Sequence, residues 1–235
     1  MQTCGGAVIQ RTELPVRVDG DAQVTALLYG AAEPRLEVAL ILAHGAGAGQ
    51  HSAFMTSFAS ALAELGVDAV TFNFLYTEQR RRIPDRKPAL EACYLAVIQA
   101  VRDALGGALF IGGKSMGGRI ATHVAANGLG EPPRGIVLLG YPLHPPGRPQ
   151  ERRDAHLPEV PCPLLFVQGS RDAFGTPAEI RSVLPTLDHP ATLHVVEGGD
   201  HSLKLAKGGR AQDDVYLEVQ RAIVKWLRGI IAERS

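Results

Sequence analysis

Apolar residues along this chain follow two patterns: short continuous runs, and longer stretches in which they recur every three or four positions. The continuous runs cover residues 38–43, 69–74, 108–111, 135–139, 163–167 and 192–196. Runs of this length are typical of strands that are buried on both faces. The helical spacing covers residues 54–65, 88–105, the stretch after Ser115, a short stretch capped by Thr176, and 213–231. Two further predicted strands, 14–18 and 24–29, flank Asp19-Gly20-Asp21 and indicate a hairpin.

Strands that alternate with helices predict an α/β fold, in which a mostly parallel sheet carries helices on both faces. We expect residues 1–235 to form a single domain, because this length suits one large α/β domain with a well-buried core. Ligands of such sheets bind at the carboxyl ends of the strands. His44, Ser115, Asp172 and His201 all follow predicted strands, so the fold would bring them to one edge of the sheet.

The stretch from Gly113 to Gly117 carries the most specific motif. It has the form Gly-x-Ser-x-Gly and lies between the predicted strand at 108–111 and a stretch of helical spacing. In this context the motif indicates a nucleophile elbow, a strained turn that exposes the hydroxyl of Ser115 above the sheet. The glycines lack the Cβ atoms that would collide there. The helix that follows directs its free N–H groups and positive dipole end toward charge that develops near the serine oxygen.

Three other interpretations of these glycine-rich stretches have to be weighed. With 26 glycines in 235 residues, Gly-x-Ser-x-Gly arises by chance in roughly one such chain in ten. Gly113-Lys114-Ser115 approaches a phosphate-binding loop, but Ala108 stands where its first glycine belongs, and an apolar strand follows. The loop at 44–49 approaches a dinucleotide-binding loop, but Gln50 stands where its third glycine belongs. The spacing therefore argues against both nucleotide sites.

Acyl transfer to a serine needs a base and a third group that orients the base. The chain offers these in the order Ser115 as nucleophile, Asp172 as orienting carboxylate and His201 as general base and then general acid. The backbone N–H groups of Met116 and of Ala46, in the loop after the strand at 38–43, are the predicted oxyanion donors.

Each of these side chains also has a structural alternative. Asp172 could serve only to cap the turn after its strand, and a lone His201 could be structural. Asp200 is a rival acid, although its position next to His201 in the sequence keeps it from reaching round to the ring nitrogen of its neighbour. The other seven histidines form no H-E-x-x-H or similar spacing, so we expect no metal site and no cofactor.

Several segments of the chain resemble the α/β-hydrolases of the dienelactone-hydrolase-like group. More narrowly, they resemble the branch that contains the testis-expressed hydrolase-like proteins and the hydrolase-like subunit of a histone-acetyltransferase complex. The similar segments are 44–49, 72–74, 82–86, 112–118, 140–147, 168–175 and 198–202. The resemblance implies an eight-stranded sheet and a serine-hydrolase triad, but no particular substrate. Dienelactone hydrolases carry cysteine at the elbow, so Ser115 argues against that activity.

Charge and composition limit the binding partners and the cellular compartment that we expect for the protein. Lys and Arg total 24 and so do Asp and Glu, and a net charge of zero argues against nucleic-acid or membrane-surface binding. No apolar run approaches a membrane span, and the first residues lack the pattern of a signal peptide. Cys4, Cys93 and Cys162 are widely spaced and odd in number, which favours core thiols in a reducing compartment. We therefore expect a cytoplasmic protein.

The sequence thus predicts a cytoplasmic serine hydrolase that cleaves a carboxylic ester or thioester through an acyl-enzyme intermediate. The alternative is a non-catalytic binding or scaffold module that retains the hydrolase fold. Residues 141–161 stand where many α/β-hydrolases insert a helical lid. This stretch is short and rich in proline, so we expect a minimal cap and an open or shallow pocket.

Five further residues are candidates for substrate binding: His44, Gly45, Tyr76, Arg82 and Arg86. The two arginines belong to a basic stretch, residues 80–87, that follows the fourth predicted strand. Arg148, Arg152 and Arg153 lie in the irregular stretch after the sixth predicted strand, and both segments leave the same sheet edge as Ser115, so both could rim the pocket. A guanidinium group can grip both oxygens of a carboxylate or phosphate, so we expect a small-molecule substrate that carries an anionic group. The alternative is a solvated charged loop in which Asp85 and Glu151 act as local partners of the arginines.

Overall fold

The computed structural model describes residues 9–206 and 211–233, so Cys4 lies outside the described residues. In chain order the elements are β1 (Arg11–Asp19), β2 (Ala22–Tyr29), β3 (Val38–Ala43), α1 (Ala53–Glu64), β4 (Asp68–Phe72), α2 (Leu75–Glu78), α3 (Lys87–Ala104), β5 (Ala108–Lys114), α4 (Met116–Ala126), β6 (Ile136–Leu139), β7 (Leu164–Gly169), α5 (Pro177–Val183), β8 (Ala191–Val196) and α6 (Gln212–Ala232). Two single turns of 3-10 helix lie at Leu157–Glu159 and Leu184–Thr186. The predicted strands and long helices are all found, with bounds displaced by a few residues at most. The short helix α2 was not predicted.

The eight strands form one sheet in the order β1-β2-β4-β3-β5-β6-β7-β8. The hairpin of β1 and β2 is antiparallel, and β2 pairs antiparallel with β4. Every pair from β4 to β8 is parallel. The parallel strands therefore end at the same edge, where the loops that follow β3, β5, β7 and β8 meet. The predicted mostly parallel, eight-stranded sheet is confirmed.

Helices cover both faces of this sheet, as predicted. The central strand β3 is buried along its whole length because alternate residues point to opposite faces. Ala39, Ile41 and Ala43 pack on the side of α3, α4 and α5, whereas the intervening residues of β3 pack on the side of α1 and α6. Cys93 and Cys162 are buried in the first of these two cores. Burial on both faces explains why β3 is a continuous apolar run in the sequence.

The segment from 141 to 161 crosses the carboxyl edge of the sheet as an irregular chain. The single regular element described in it is the 3-10 turn Leu157–Glu159, so it forms no helical lid. Hydrogen bonds within the segment join its two halves. The Tyr141 hydroxyl donates to the Arg153 carbonyl (2.7 Å), and the Arg153 N–H donates to the Leu143 carbonyl (2.9 Å). Within the described ranges, no helix has both the length and the apolar character that crossing a membrane requires.

Candidate active site

Ser115 occupies a strained turn between β5 and α4. Its backbone angles are φ 50° and ψ −115°, an unfavourable region for a residue with a Cβ atom. The turn packs closely against β3, and this approach requires glycine at position 117, because a Cβ at Gly117 would lie 2.3 Å from the carbonyl oxygen of Ala43. The Ser115 N–H donates to the Leu139 carbonyl on β6 (2.9 Å), which fixes the turn against the sheet. This is the geometry of a nucleophile elbow.

The side chains of Ser115, His201 and Asp172 form one continuous run of hydrogen bonds. His201 Nε2 lies 2.8 Å from Ser115 Oγ. On the other side of the ring, His201 Nδ1 lies 2.8 Å and 3.0 Å from the two carboxylate oxygens of Asp172. A carboxylate accepts hydrogen bonds, so Nδ1 carries the ring hydrogen and Nε2 is free to accept the serine proton. The three side chains come from the ends of β5, β7 and β8, 86 residues apart at the extremes.

The Asp172 carboxylate is held in place by more than the histidine. One oxygen accepts the side-chain amide of Gln168 and the other accepts the Phe174 N–H, both at 2.8 Å. The residue itself is almost fully buried. Asp200 has a different role, because its carboxylate accepts the N–H groups of Ser202 (2.7 Å) and Lys204 (2.9 Å) within its own turn. The structure therefore places Asp172, and not its rival, against the His201 ring.

The imidazole of His201 is also supported from its faces and its backbone. The Phe174 ring stacks on it with 4.1 Å between the ring centroids. Lys114 Nζ donates to the His201 carbonyl (3.1 Å) and lies 5.2 Å from the centroid of Phe54. Burial lowers the pKa of Lys114 to about 8. Both the orientation of the ring and the position of its loop are therefore fixed before any ligand arrives.

The loop after β3 lies directly beside Ser115. A Cβ at Gly45 would stand 3.5 Å from the Ser115 Cβ, and both Gly45 and Ala46 line the cleft above the serine. Among residues 9–206 and 211–233, the N–H groups of Ala46 and Met116 have no hydrogen-bond acceptor. Two unoccupied donors on either side of a serine hydroxyl can stabilise an oxyanion that forms there.

His44 lies in the same loop but is fully buried. Its Nε2 accepts the Phe74 N–H (3.2 Å), so its Nδ1 carries the hydrogen and donates to the Gly45 carbonyl (2.8 Å). Burial lowers the pKa of this imidazole, which keeps it neutral. His44 therefore orders the loop and has no nitrogen left to bind a substrate.

A cleft of about 530 Å³ opens above Ser115 and His201. The charged side chains that line it are Asp85, Lys87, Lys114, Arg119 and Arg153. Of the other predicted substrate-binding residues, Tyr76 and Arg82 line a neighbouring hollow of about 420 Å³ beside Gly47. Arg86 is exposed and lines neither space. Arg82 and Arg86, which the sequence favoured, thus lie outside this cleft, whereas Arg153, from the second segment expected at its rim, lines it.

Sequence reasoning missed Gln168 and Arg119. For Arg119 the sequence held a usable signal, since it follows Ser115 by four residues and therefore lies on the same face of α4. For Gln168 no local pattern exists, because it reaches the site through the packing of segments that are distant in sequence. Arg153 was expected to rim the pocket together with Arg148 and Arg152, and of these three it is the one that lines the cleft.

Comparison with known proteins agrees with the observed fold. The fold matches an alpha-beta serine hydrolase homologue from Coxiella burnetii with a TM-score of 0.74 and 19% identity over 94% of this chain and 99% of that one. It also matches an α/β serine hydrolase without a lid from Xanthomonas campestris (TM-score 0.71, 23% identity, 92% and 95% covered). A dienelactone hydrolase from Anabaena variabilis matches with a TM-score of 0.73 and 19% identity over 94% and 98%. A family model described as alpha/beta hydrolase domain covers residues 36–228, and the chain therefore belongs to the alpha/beta hydrolase family.

Proposed function

We propose that this hydrolase cleaves a carboxylic ester or thioester through an acyl-enzyme intermediate on Ser115. The observation that carries the proposal is the hydrogen-bonded run from Ser115 Oγ through the His201 ring to Asp172, at the floor of an open cleft. Side chains that serve only as packing have no need of this alignment. The proposed function is therefore catalytic, in contrast to a scaffold that retains the fold alone.

In the first half of the proposed reaction, Ser115 Oγ attacks the carbonyl carbon of the substrate while its proton moves to His201 Nε2. The carbonyl oxygen gains the negative charge and accepts hydrogen bonds from the N–H groups of Ala46 and Met116. The Asp172 carboxylate stabilises the imidazolium that forms. When the carbonyl re-forms, the bond to the alcohol or thiol breaks, and that leaving group takes the proton from His201 Nε2. The acyl group remains on Ser115.

The second half repeats these steps with water in place of the alcohol. His201 Nε2 takes a proton from water as the water oxygen attacks the acyl carbon. Collapse of the second tetrahedral intermediate breaks the bond to Ser115 Oγ, which recovers its proton from His201. The acid product leaves the cleft. None of these reaction steps uses a cofactor.

A fluorophosphonate probe and a panel of esters and thioesters test the proposal. We expect the probe to label the wild-type protein and the Ser115→Ala variant to lose both labelling and turnover. Alanine fits the same turn, so the variant should keep its circular dichroism spectrum and melting temperature. A folded Ser115→Ala protein that retains turnover would exclude Ser115 as the nucleophile. A wild-type protein that neither reacts with the probe nor cleaves any member of the panel would favour the scaffold alternative.

Two finer assignments belong to the same proposal. The segments at 82–86 and 140–147 support placement in the branch of the testis-expressed hydrolase-like proteins and the hydrolase-like subunit of a histone-acetyltransferase complex. The zero net charge and the buried positions of Cys93 and Cys162 support a cytoplasmic setting. Fractionation of cells that express a tagged full-length protein would test that setting.

A further inference from the structure

The charges around the active-site cleft are unbalanced. Four of the charged residues that line it are cationic, and one, Asp85, is anionic. The Asp85 carboxylate already pairs with Arg81, at 2.7 Å. In the segment from 141 to 161, Arg148 pairs with Glu151 and Arg152 pairs with Asp154. The local ion pairs therefore leave an excess of positive charge on the cleft walls.

Arg119 is the cation most closely tied to the nucleophile. It follows Ser115 by one helical turn on α4, which is about 6 Å along the helix axis, and helical side chains lean back toward the N-terminus. Its Nε is buried and has no hydrogen-bond partner among the described residues. None of the described carboxylates lies within 4 Å of its guanidinium group. A buried donor without a partner is uncommon in folded proteins and calls for an explanation.

Arg153 reaches the same cleft from the segment above it. Its backbone is fixed on both sides, by the Tyr141 hydroxyl on its carbonyl and by the Leu143 carbonyl on its N–H. Burial and, next, the charge of Arg119 lower the pKa of its guanidinium group, although arginine remains charged at neutral pH. The described part of the chain gives it no ion-pair partner. Two like charges are thus held near each other without a compensating carboxylate.

A neighbouring pair of histidines does not change the net charge around Arg119 and Arg153. The rings of His123 and His156 stack with 3.6 Å between their centroids. Burial first, and then nearby cations that include Lys87 and Arg119, lower the pKa of His123 to about 3 and that of His156 to about 4. Both imidazoles are therefore neutral at physiological pH. The positive charge beside Ser115 is left for a ligand to neutralise.

We propose that Arg119 and Arg153 form an anion site in the active-site cleft, and that the substrate is an ester whose acyl part carries a free carboxylate. This inference rests on the proposed function of Ser115. Two guanidinium forks suit a planar carboxylate because each can bind both of its oxygens. The acyl part is the portion that stays on Ser115 through both halves of the reaction. A carboxylate one helical turn from Ser115 fits an acyl chain with a spacer of about three carbons.

Matched esters test the site. We compare 4-nitrophenyl hemiglutarate with neutral 4-nitrophenyl pentanoate, which has the same acyl length without the carboxylate. The wild-type protein should prefer the hemiglutarate, and the ratio of the two kcat/KM values should fall about 10- to 100-fold in Arg119→Met or Arg153→Met. Arg119→Lys, which keeps the charge but loses the fork, should fall in between. Arg86→Met is the matched control, because Arg86 is exposed and outside the cleft, and it should leave the ratio unchanged.

The outcomes separate this inference from the proposed function. Equal turnover of both esters by the wild-type protein, or a ratio that depends on Arg86 and not on Arg119, would overturn the anion site and leave the hydrolase assignment intact. Calorimetry with monomethyl glutarate on the Ser115→Ala protein tests the site without turnover. Binding that disappears when Arg119 and Arg153 are both methionine supports the site even if no ester is cleaved. Absence of binding, with or without the arginines, would overturn it.

Discussion

Gln168, at the end of β7, is a buried amide that joins three parts of the active site. It is 0% exposed. Its Nε2 donates to Asp172 and to the Gly175 carbonyl, both at 2.8 Å, and its Oε1 accepts the Tyr141 N–H at 2.9 Å. One side chain therefore orients the carboxylate behind His201 and satisfies two buried backbone groups. We expect Gln168→Met to lower both stability and activity.

The size of the effect follows from the groups that methionine leaves without partners. A hydrogen bond to a charged group contributes about 1.5–3 kcal/mol, and each buried backbone group left unsatisfied costs about 1–3 kcal/mol. These contributions overlap, so we expect the free energy of unfolding to fall by about 3–6 kcal/mol, against a total of about 5–15 kcal/mol for a typical domain. Asp172 keeps the Phe174 N–H, so kcat should fall by only about tenfold.

Urea denaturation and ester turnover measure these two effects. Gln99→Met is the matched control, because the Gln99 amide also donates to a carboxylate, that of Asp103, at 2.8 Å but on the exposed face of α3. It should change the free energy of unfolding by less than about 0.5 kcal/mol. If Gln168→Met is no more destabilising than Gln99→Met, then the buried hydrogen bonds of Gln168 do not stabilise the fold as expected.

Three further variants test other parts of the site. Gly140→Ala should lower the free energy of unfolding by about 1–3 kcal/mol, measured by urea denaturation, and lower kcat at least tenfold. The reason is that Gly140 has φ +66° and a Cβ there would lie 2.7 Å from the His201 carbonyl oxygen. Turnover at the wild-type rate would contradict this. Asp172→Asn should lower kcat by three to four orders of magnitude by favouring the wrong histidine tautomer, whereas Asp200→Asn should cost far less. The reverse order would make Asp200 the carboxylate that orients His201. The pKa of Lys114, about 8 in the folded state against about 10.4 when unfolded, means that the unfolded chain binds more protons between these values. The wild-type free energy of unfolding should therefore rise by about 3 kcal/mol relative to Lys114→Met from pH 7 to 10.5, and parallel pH profiles would refute this.

Most of the fold could be predicted from the sequence because buried strands and helix faces require recognisable patterns of apolar residues. The continuous apolar run of β3 has the same bounds, Val38–Ala43, in the sequence pattern and in the structure. Thr176 was predicted to cap a short helix, and it forms a capping box with Glu179 at the start of α5. The four residues of α2 are too few for a helical period to be visible, which explains why that element was missed.

The site was predictable only as far as motif and chain order reach. Ser115, Asp172 and His201 could be chosen because each follows a strand, and parallel strands end at one edge. The same reasoning places two arginine-bearing segments, 80–87 and 148–153, at this edge, but it cannot show which arginine enters the cleft. Arg82 and Arg86 looked suitable because the loop that carries them leaves the same edge, but the path of that loop over the surface is set by tertiary packing. Arg153 enters the cleft instead because Tyr141 fastens its backbone there.

Several departures from ordinary packing lie at the carboxyl edge of the sheet. Ser115 has a positive φ angle, Lys114 is a largely buried cation with a lowered pKa, and Arg119 has a buried Nε without a described partner. Arg81, Arg148 and Arg152 pair with local carboxylates, whereas Arg119 and Arg153, which line the cleft above Ser115, have no such partner among the described residues. Such features reduce stability and persist where function requires them. Their presence together around Ser115 is a physical reason to expect chemistry at this edge that does not depend on any resemblance.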